Sequence, residues 1–265
     1  MYDIIEEQEF YLLLIFNMRG CLGRDMDRYI DTHCHIIYGV DDGSKSIEET
    51  TEMLHSAYDT GTRCIIATPH HHPIRGQSDV KLIRNRIQEV RKIAESIDKN
   101  FRIYFGMEVF FTHDIPEKVQ KGVVCGINNK KIMLLEFSPS VKFSSILQAV
   151  QIVQASGMNV LMAHCERYMC LLENMEYIER LSNIGVKFQV NANSITGNGG
   201  RRAQKFIGKL MDADYVFCVG SDAHNNTTRP PALNDAAEYV KRRYGKEYMD
   251  KIFFLNPASL LKKRS

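Results

Sequence analysis

At 265 residues and 44% hydrophobic, the chain is long and apolar enough to bury one large α/β core without help from disulfides. Its acidic and basic residues nearly cancel to a net +2, so charge gives no footprint for nucleic acid or for an anionic membrane surface. The seven cysteines (Cys21, Cys34, Cys64, Cys125, Cys165, Cys170 and Cys218) are odd in number and never spaced C-x-x-C, which excludes a zinc finger and argues for a reducing, cytoplasmic setting.

In chain order, residues 1–28 come first, with a short apolar run from Tyr11 to Phe16 behind Glu6, Glu7 and Glu9. The run lacks the basic flank of a secretory signal and falls short of the about 20 apolar residues a membrane span needs. Residues 1–28 are therefore an N-terminal extension, either a packed helix or a segment ahead of a true start at Met26. Residues 29–265 are expected to form a single domain.

From residue 28 onward β-rich runs alternate with helical periodicity. Strands are predicted from Tyr29 to Thr32, Cys64 to Ala67, Arg102 to Phe105, Ile132 to Leu135, Val160 to Ala163, Lys187 to Val190 and Tyr215 to Val219. Helices are predicted from Ser46 to Thr60, Asp79 to Asp98, Ile115 to Gln120, Ser144 to Ser156, Met169 to Asn183, Arg201 to Met211 and Pro231 to Tyr244. A last one starts at Asn256, where Asn followed by Pro257 suits an N-cap and first helical position. Such alternation implies a parallel sheet, either a closed α/β barrel or an open doubly wound sheet.

Polar residues follow these strands one after another. Asp31-Thr32-His33-Cys34-His35 and Asp41-Asp42-Gly43 follow the first strand, Thr68-Pro69-His70 the second and Gly106-Met107-Glu108 the third. Glu136 ends the fourth, His164 the fifth, and Ser221-Asp222-Ala223-His224 the seventh. The carboxyl ends of parallel strands open on one face, so these side chains converge. His33 and His35, two apart on an extended strand, point to the same side, and Asp222 and His224 repeat the spacing. Carboxylates and imidazoles without thiolate suit manganese, iron or zinc. Clustered divalent ions activate water and neutralise charge on a phosphate ester. Arg167 and Arg229, just after candidate ligands, are the candidate phosphate clamp. His55, His71, His72 and His113 have no such pattern and are expected to be structural.

The ordered set His33-Cys34-His35, Val40-Asp41-Asp42-Gly43, Ala163-His164-Cys165-Glu166-Arg167-Tyr168, Gln189-Val190-Asn191, Ser221-Asp222-Ala223-His224-Asn225 and Arg229-Pro230-Pro231 resembles the polymerase and histidinol phosphatase (PHP) superfamily. Within it, the pattern is similar to the capsule-associated bacterial protein-tyrosine phosphatases of the CpsB and YwqE type. The resemblance implies a distorted seven-stranded (β/α)7 TIM-like barrel with three divalent ions, manganese first among the options. It implies that His33, His35, Glu108 and Asp222 hold one ion, that Glu108 bridges to a second completed by Glu136 and His164, and that Asp42, His70 and His224 hold a third. Asp41 is then a supporting residue or a cap. The implied substrate is a phosphotyrosine protein, the tail of a bacterial tyrosine kinase that controls exopolysaccharide export. Two departures stand out: His71, His72 and Pro73 intervene before Arg75 where the family carries basic residues, and the N-terminal extension has no counterpart.

The competing expectations are a PHP phosphatase for a small metabolite such as histidinol phosphate, a TatD-like metal nuclease, and a non-catalytic regulatory module that keeps a metal for stability.

Overall fold

Apolar residues at alternate positions on parallel strands give this chain two cores, one on each side of its sheets. The computed structural model describes residues 28–77, 80–172 and 174–261, so the extension up to residue 27 lies outside the described residues. All seven predicted strands are present: β1 (Tyr29–Cys34), β2 (Thr62–Ala67), β5 (Arg102–Phe105), β7 (Ile132–Glu136), β8 (Asn159–Met162), β9 (Lys187–Asn191) and β10 (Val216–Gly220). Three short ones were not predicted: β3 (His70–His72), β4 (Gly76–Gln77) and β6 (Glu108–Phe110). β3 and β6 prolong the lines of β2 and β5 after breaks at Thr68-Pro69 and Gly106-Met107. Pro69 has no N–H to give a ladder, which accounts for the first break.

The strands form two sheets, β1-β2-β5 and β10-β9-β8-β7-β6-β3-β4, in which every pairing is parallel except the β3–β4 hairpin. Hydrogen bonding does not close them into a ring. β1 and β10 approach through an isolated bridge between Cys34 and Ala223, where the His35 N–H donates to the Ala223 carbonyl at 2.9 Å.

Ile30, Cys64, Ile66, Leu134, Leu161 and Cys218, from five of the strands, pack with Ala258, Leu260 and Leu261 of the C-terminal segment into the smaller core. The intervening strand residues, among them Ile65, Met133, Leu135, Met162 and Val219, face the larger core under the helices. Glu136 continues the face of Ile132 and Leu134, so it stands directly above the smaller core.

The helices are α1 (Ile47–Asp59), α2 (Val80–Ile97), α3 (Ile115–Gln120), α4 (Phe143–Ala155), α5 (Met175–Asn183), α6 (Ala192–Ile195), α7 (Arg201–Asp212), α8 (Asn234–Tyr244), α9 (Lys246–Asp250) and α10 (Asn256–Ser259). α1 is capped by Ser46, whose side chain accepts the Glu49 N–H. Two predictions need correction, and one short helix is additional. The helix expected from Met169 starts only at Met175, because a 3-10 turn (Cys165–Arg167) and further turns carry the chain away from β8 first. α6 was not predicted. Asn256 is no N-cap: its own φ is −63°, a π turn (Lys251–Leu255) runs straight into α10, and its amide instead donates to the Phe217 carbonyl at 2.9 Å.

Tyr168 ties two strand ends together from a fully buried position. Its hydroxyl donates to the Ala163 carbonyl (2.9 Å) and accepts the Phe137 N–H (3.2 Å). Tyr168→Phe leaves both backbone groups unpaired away from water and is expected to cost about 1–3 kcal/mol in urea-unfolding stability; an unchanged midpoint at equal m-value would contradict this.

Candidate metal centre

Nine predicted side chains, His33, His35, Asp42, His70, Glu108, Glu136, His164, Asp222 and His224, meet at the carboxyl ends of the strands. The centre is Glu108, fully buried on β6. Its Oε2 lies 3.1 Å from His33 Nε2, 3.3 Å from His35 Nε2 and 2.9 Å from His70 Nδ1, while its Oε1 lies 2.8 Å from His164 Nε2. Glu136 stands 3.8 Å from both His70 and His164. Asp222 Oδ1 is 3.6 Å from His33 Nε2 and 3.5 Å from His35 Nε2. Asp42, the one exposed member, brings Oδ1 to 3.3 Å from His70 Nε2 and 3.4 Å from His224 Nε2. Donor atoms close enough to share an ion fall into three overlapping groups: His33, His35 and Glu108; His70, Glu108 and Glu136; His35, Asp42, His70 and His224.

A layer of partners sets which imidazole nitrogen faces inward. The Asp41 carboxylate accepts a hydrogen bond from His35 Nδ1 at 2.8 Å and is itself fixed by the N–H groups of His70 (2.8 Å) and Gly43 (2.9 Å). Asp41 is thus the supporting residue expected of it. Position 43 must be glycine, since a Cβ there would fall 2.3 Å from the His35 carbonyl oxygen. Gln189 Oε1 sits 3.2 Å from His33 Nδ1 and accepts the His164 N–H at 2.8 Å. His224 Nδ1 donates to the Asp222 carbonyl at 3.0 Å. With Nδ1 protonated in each case, Nε2 of His33, His35 and His224 turns its lone pair on the cluster.

Asp222 and His224 do not share a strand face as their spacing suggested. β10 ends at Gly220, and Asp222 takes a left-handed backbone (φ 53°), as does His164 (φ 31°). Both conformations are costly for residues other than glycine, and both are pinned: Asp222 N–H donates to the His33 carbonyl at 2.7 Å, and His164 N–H to Gln189.

This donor set calls for cations. Burial disfavours a charged His33, yet the Glu108 and Asp222 carboxylates outweigh it and raise its pKa. Burial acts the same way on His35, where Asp41 leads the opposing effect and the pKa ends well above the ordinary value. Burial, reinforced by the charge of Glu108, pushes Glu136 up to about 7. Among the described residues, no donor reaches the buried Oε2 atoms of Glu108 and Glu136 in hydrogen-bonding geometry, although imidazole nitrogens crowd around the first. Carboxylates this close need positive charge between them, and oxygen and imidazole donors without thiolate fit hard or borderline divalent ions.

Both predicted arginines reach the same place. Arg167 and Arg229 put terminal nitrogens 2.6 and 2.7 Å from Asp222 while remaining partly exposed. Arg75, not predicted to act here, brings a third guanidinium 3.1 Å from Glu136 Oε1. Within the Gln189-Val190-Asn191 motif, the Gln189 amide donates to Asn191 Oδ1 and the Asn191 amide to Asp222, both at 2.9 Å, joining the two in one network. Of the four histidines set aside, none joins a potential metal group among the described residues, although His72 lines the rim.

Residues 29–262 match the family model for capsular polysaccharide synthesis proteins CpsB/CapC. The chain belongs to the CpsB/CapC family. It is 31% identical over 238 residues to the tyrosine-protein phosphatase CpsB of Streptococcus agalactiae serotype V, covering 88% of this chain and 98% of that one. It is 28% identical over 218 residues to the tyrosine-protein phosphatase YwqE of Bacillus subtilis, covering 82% and 86%. In three dimensions it superposes with a TM-score of 0.81, at 27% identity over 89% of this chain and 95% of the other, on a crystal structure from work on YwqE of Bacillus subtilis and CpsB of Streptococcus pneumoniae, described as metal-dependent tyrosine phosphatases. The CpsB/CapC match covers every residue of the cluster, and the arginines with it.

Manganese, iron(II) or zinc added to the chelator-treated chain is expected to raise its thermal midpoint, with about 2.7 kcal/mol of stabilisation at a hundred times the dissociation constant. Scanning calorimetry across the three ions checks this, and a midpoint indifferent to all of them would count against a metal centre.

Proposed function

We propose that this CpsB/CapC chain is a metal-dependent protein-tyrosine phosphatase. One observation carries the reading: Asp222 faces His33 and His35 of the donor cluster with one oxygen while Arg167 and Arg229 hold the same carboxylate, so a phosphate clamp adjoins a metal centre. We read the two parallel sheets as one distorted seven-stranded barrel, with residues from 29 onward as a single catalytic domain. In that frame His33, His35, Glu108 and Asp222 would hold one ion, Glu108, Glu136 and His164 a second, and Asp42, His70 and His224 a third. Manganese is our assignment for all three.

Bound divalent ions supply Lewis acidity toward the phosphoryl oxygens and lower the pKa of water for attack. The chain's own residues do the rest. Asp41, Gln189 and the Asp222 carbonyl hold Nδ1 of His35, His33 and His224, so Nε2 is the atom each ring presents to the cluster. Each arginine engages Asp222 through one terminal nitrogen, which leaves further N–H donors of the planar guanidinium for phosphate oxygens. The apolar floor beneath Glu136 keeps water away from the buried carboxylates on that side. A tyrosyl phenolate, with a pKa of roughly 10, leaves far more readily than a serine alkoxide. The physiological substrate in this reading is the phosphotyrosine tail of a bacterial tyrosine kinase, met in the cytoplasm. Among the described residues no helix is long and apolar enough to cross a membrane.

The manganese-loaded chain is expected to hydrolyse a phosphotyrosine peptide in preference to histidinol phosphate and to leave DNA intact. His33→Ala and Asp222→Asn are each expected to lower kcat/KM by about a thousandfold or more, in line with the loss of metal chemistry and pre-organised charge. Preference for histidinol phosphate, or full activity in either variant, would overturn the reading.

A further inference from the structure

Beyond Glu108, the rim of the site carries side chains that phosphoryl chemistry leaves unused. Strand alternation puts Phe110 on the same face as Glu108, one step nearer the mouth, with its Cα opposite that of Glu136 in the ladder. The ring of Phe110 is only partly covered. His72 meets it edge-on, with centroids 4.4 Å apart and planes at 62°. His72 stands two residues beyond His70 on β3, by the same alternation. Its Nδ1 accepts the N–H groups of Ile74 (3.0 Å) and Arg75 (3.2 Å), so this imidazole is anchored in the hairpin turn and holds Phe110 in place. From that turn Arg75 reaches Glu136. A fixed aromatic surface, flanked by a guanidinium, therefore lies at the lip of the carboxylate cluster.

A phosphate ester of a phenol presents a flat ring just outside the reacting phosphorus, whereas an alkyl ester presents none. Aromatic rings prefer offset or edge-to-face neighbours, and such a contact is worth about five- to tenfold in binding. We propose that Phe110, braced by His72, seats the ring of the leaving group and so selects aryl over alkyl phosphate esters. The proposal rests on the phosphatase reading above and adds to it the residue that recognises the ring.

Inhibition of the manganese-loaded full chain by phenylphosphonate and by methylphosphonate tests this, because the two share the anion and differ only in the ring. The unaltered chain is expected to bind phenylphosphonate about tenfold more tightly. Phe110→Ala is expected to reduce that preference to about twofold and to raise the KM for a phosphotyrosine peptide five- to tenfold, on the order expected for one aromatic contact. Phe110→Leu, which keeps most of the buried volume, should lose the preference likewise, and Phe110→Tyr should retain it. An unchanged phenyl preference in Phe110→Leu, or equal weakening of both inhibitors, would overturn the proposal. Failure of the unaltered chain to hydrolyse phosphotyrosine would instead remove the reading beneath it, so the two failures are distinguishable.

Discussion

Glu108 presents one buried carboxylate oxygen to imidazole nitrogens of three histidines, at 2.9 to 3.3 Å, and its other oxygen to a fourth at 2.8 Å. So many polar groups can be held out of water only if each is oriented and if positive charge balances the acids. The surrounding structure answers both demands. Parallel strands deliver the side chains from separate parts of the sequence to one end. The smaller core beneath supplies a rigid apolar floor, and Asp41, Gln189 and the Asp222 carbonyl orient the rings. The network reaches deeper through Asp31, buried behind His33, whose carboxylate accepts the N–H groups of His33 (3.1 Å) and Ser221 (2.9 Å).

The polarity of each strand end was legible because hydrophobic runs stop abruptly at an acid or an imidazole, as Leu134-Leu135-Glu136 shows. What lay hidden was the local path of the chain around those residues. His70 and Glu108 belong to short strands of their own, but a proline or glycine break precedes each, and each strand is only three residues long. No periodicity is detectable over that length. The overlong helix from Met169 has a similar origin: Met169, Leu171 and Leu172 mimic an apolar stripe, while the chain turns there and Leu171 buries itself in the larger core. Arg75 and His72 could not be placed at all from sequence, because their roles depend on the β3–β4 hairpin, which brings His72 against Phe110 and Arg75 to Glu136. In both cases the missing information is tertiary: which face a short extended segment adopts is set by its neighbours and not by its own composition.

Asp222 is the residue that joins the histidine cluster to the two arginines. Its Oδ1 faces the imidazoles and Arg229, while its Oδ2 takes Arg167 (2.6 Å) and the Asn191 amide (2.9 Å). A histidine in its place could not do this, since an imidazole has no second acceptor to offer a guanidinium once one nitrogen is committed to the cluster. The left-handed backbone at Asp222 follows from the same demand. An extended continuation of β10 would keep the strand's alternation, whereas the turn at position 222 brings its carboxylate beside His33 of β1 and His35 just past it and hands the chain on to His224. Strain of about 1–3 kcal/mol at such a position is tolerable because surrounding bonds over-determine it: its N–H is held by His33, its carbonyl by His224 and its carboxylate by two arginines and an amide. Gly220, two residues earlier, makes room for this approach, since a Cβ there would lie 2.5 Å from the His33 side chain. Close backbone packing of β10 against β1 is thus what brings one carboxylate within reach of both the histidine cluster and the two arginines.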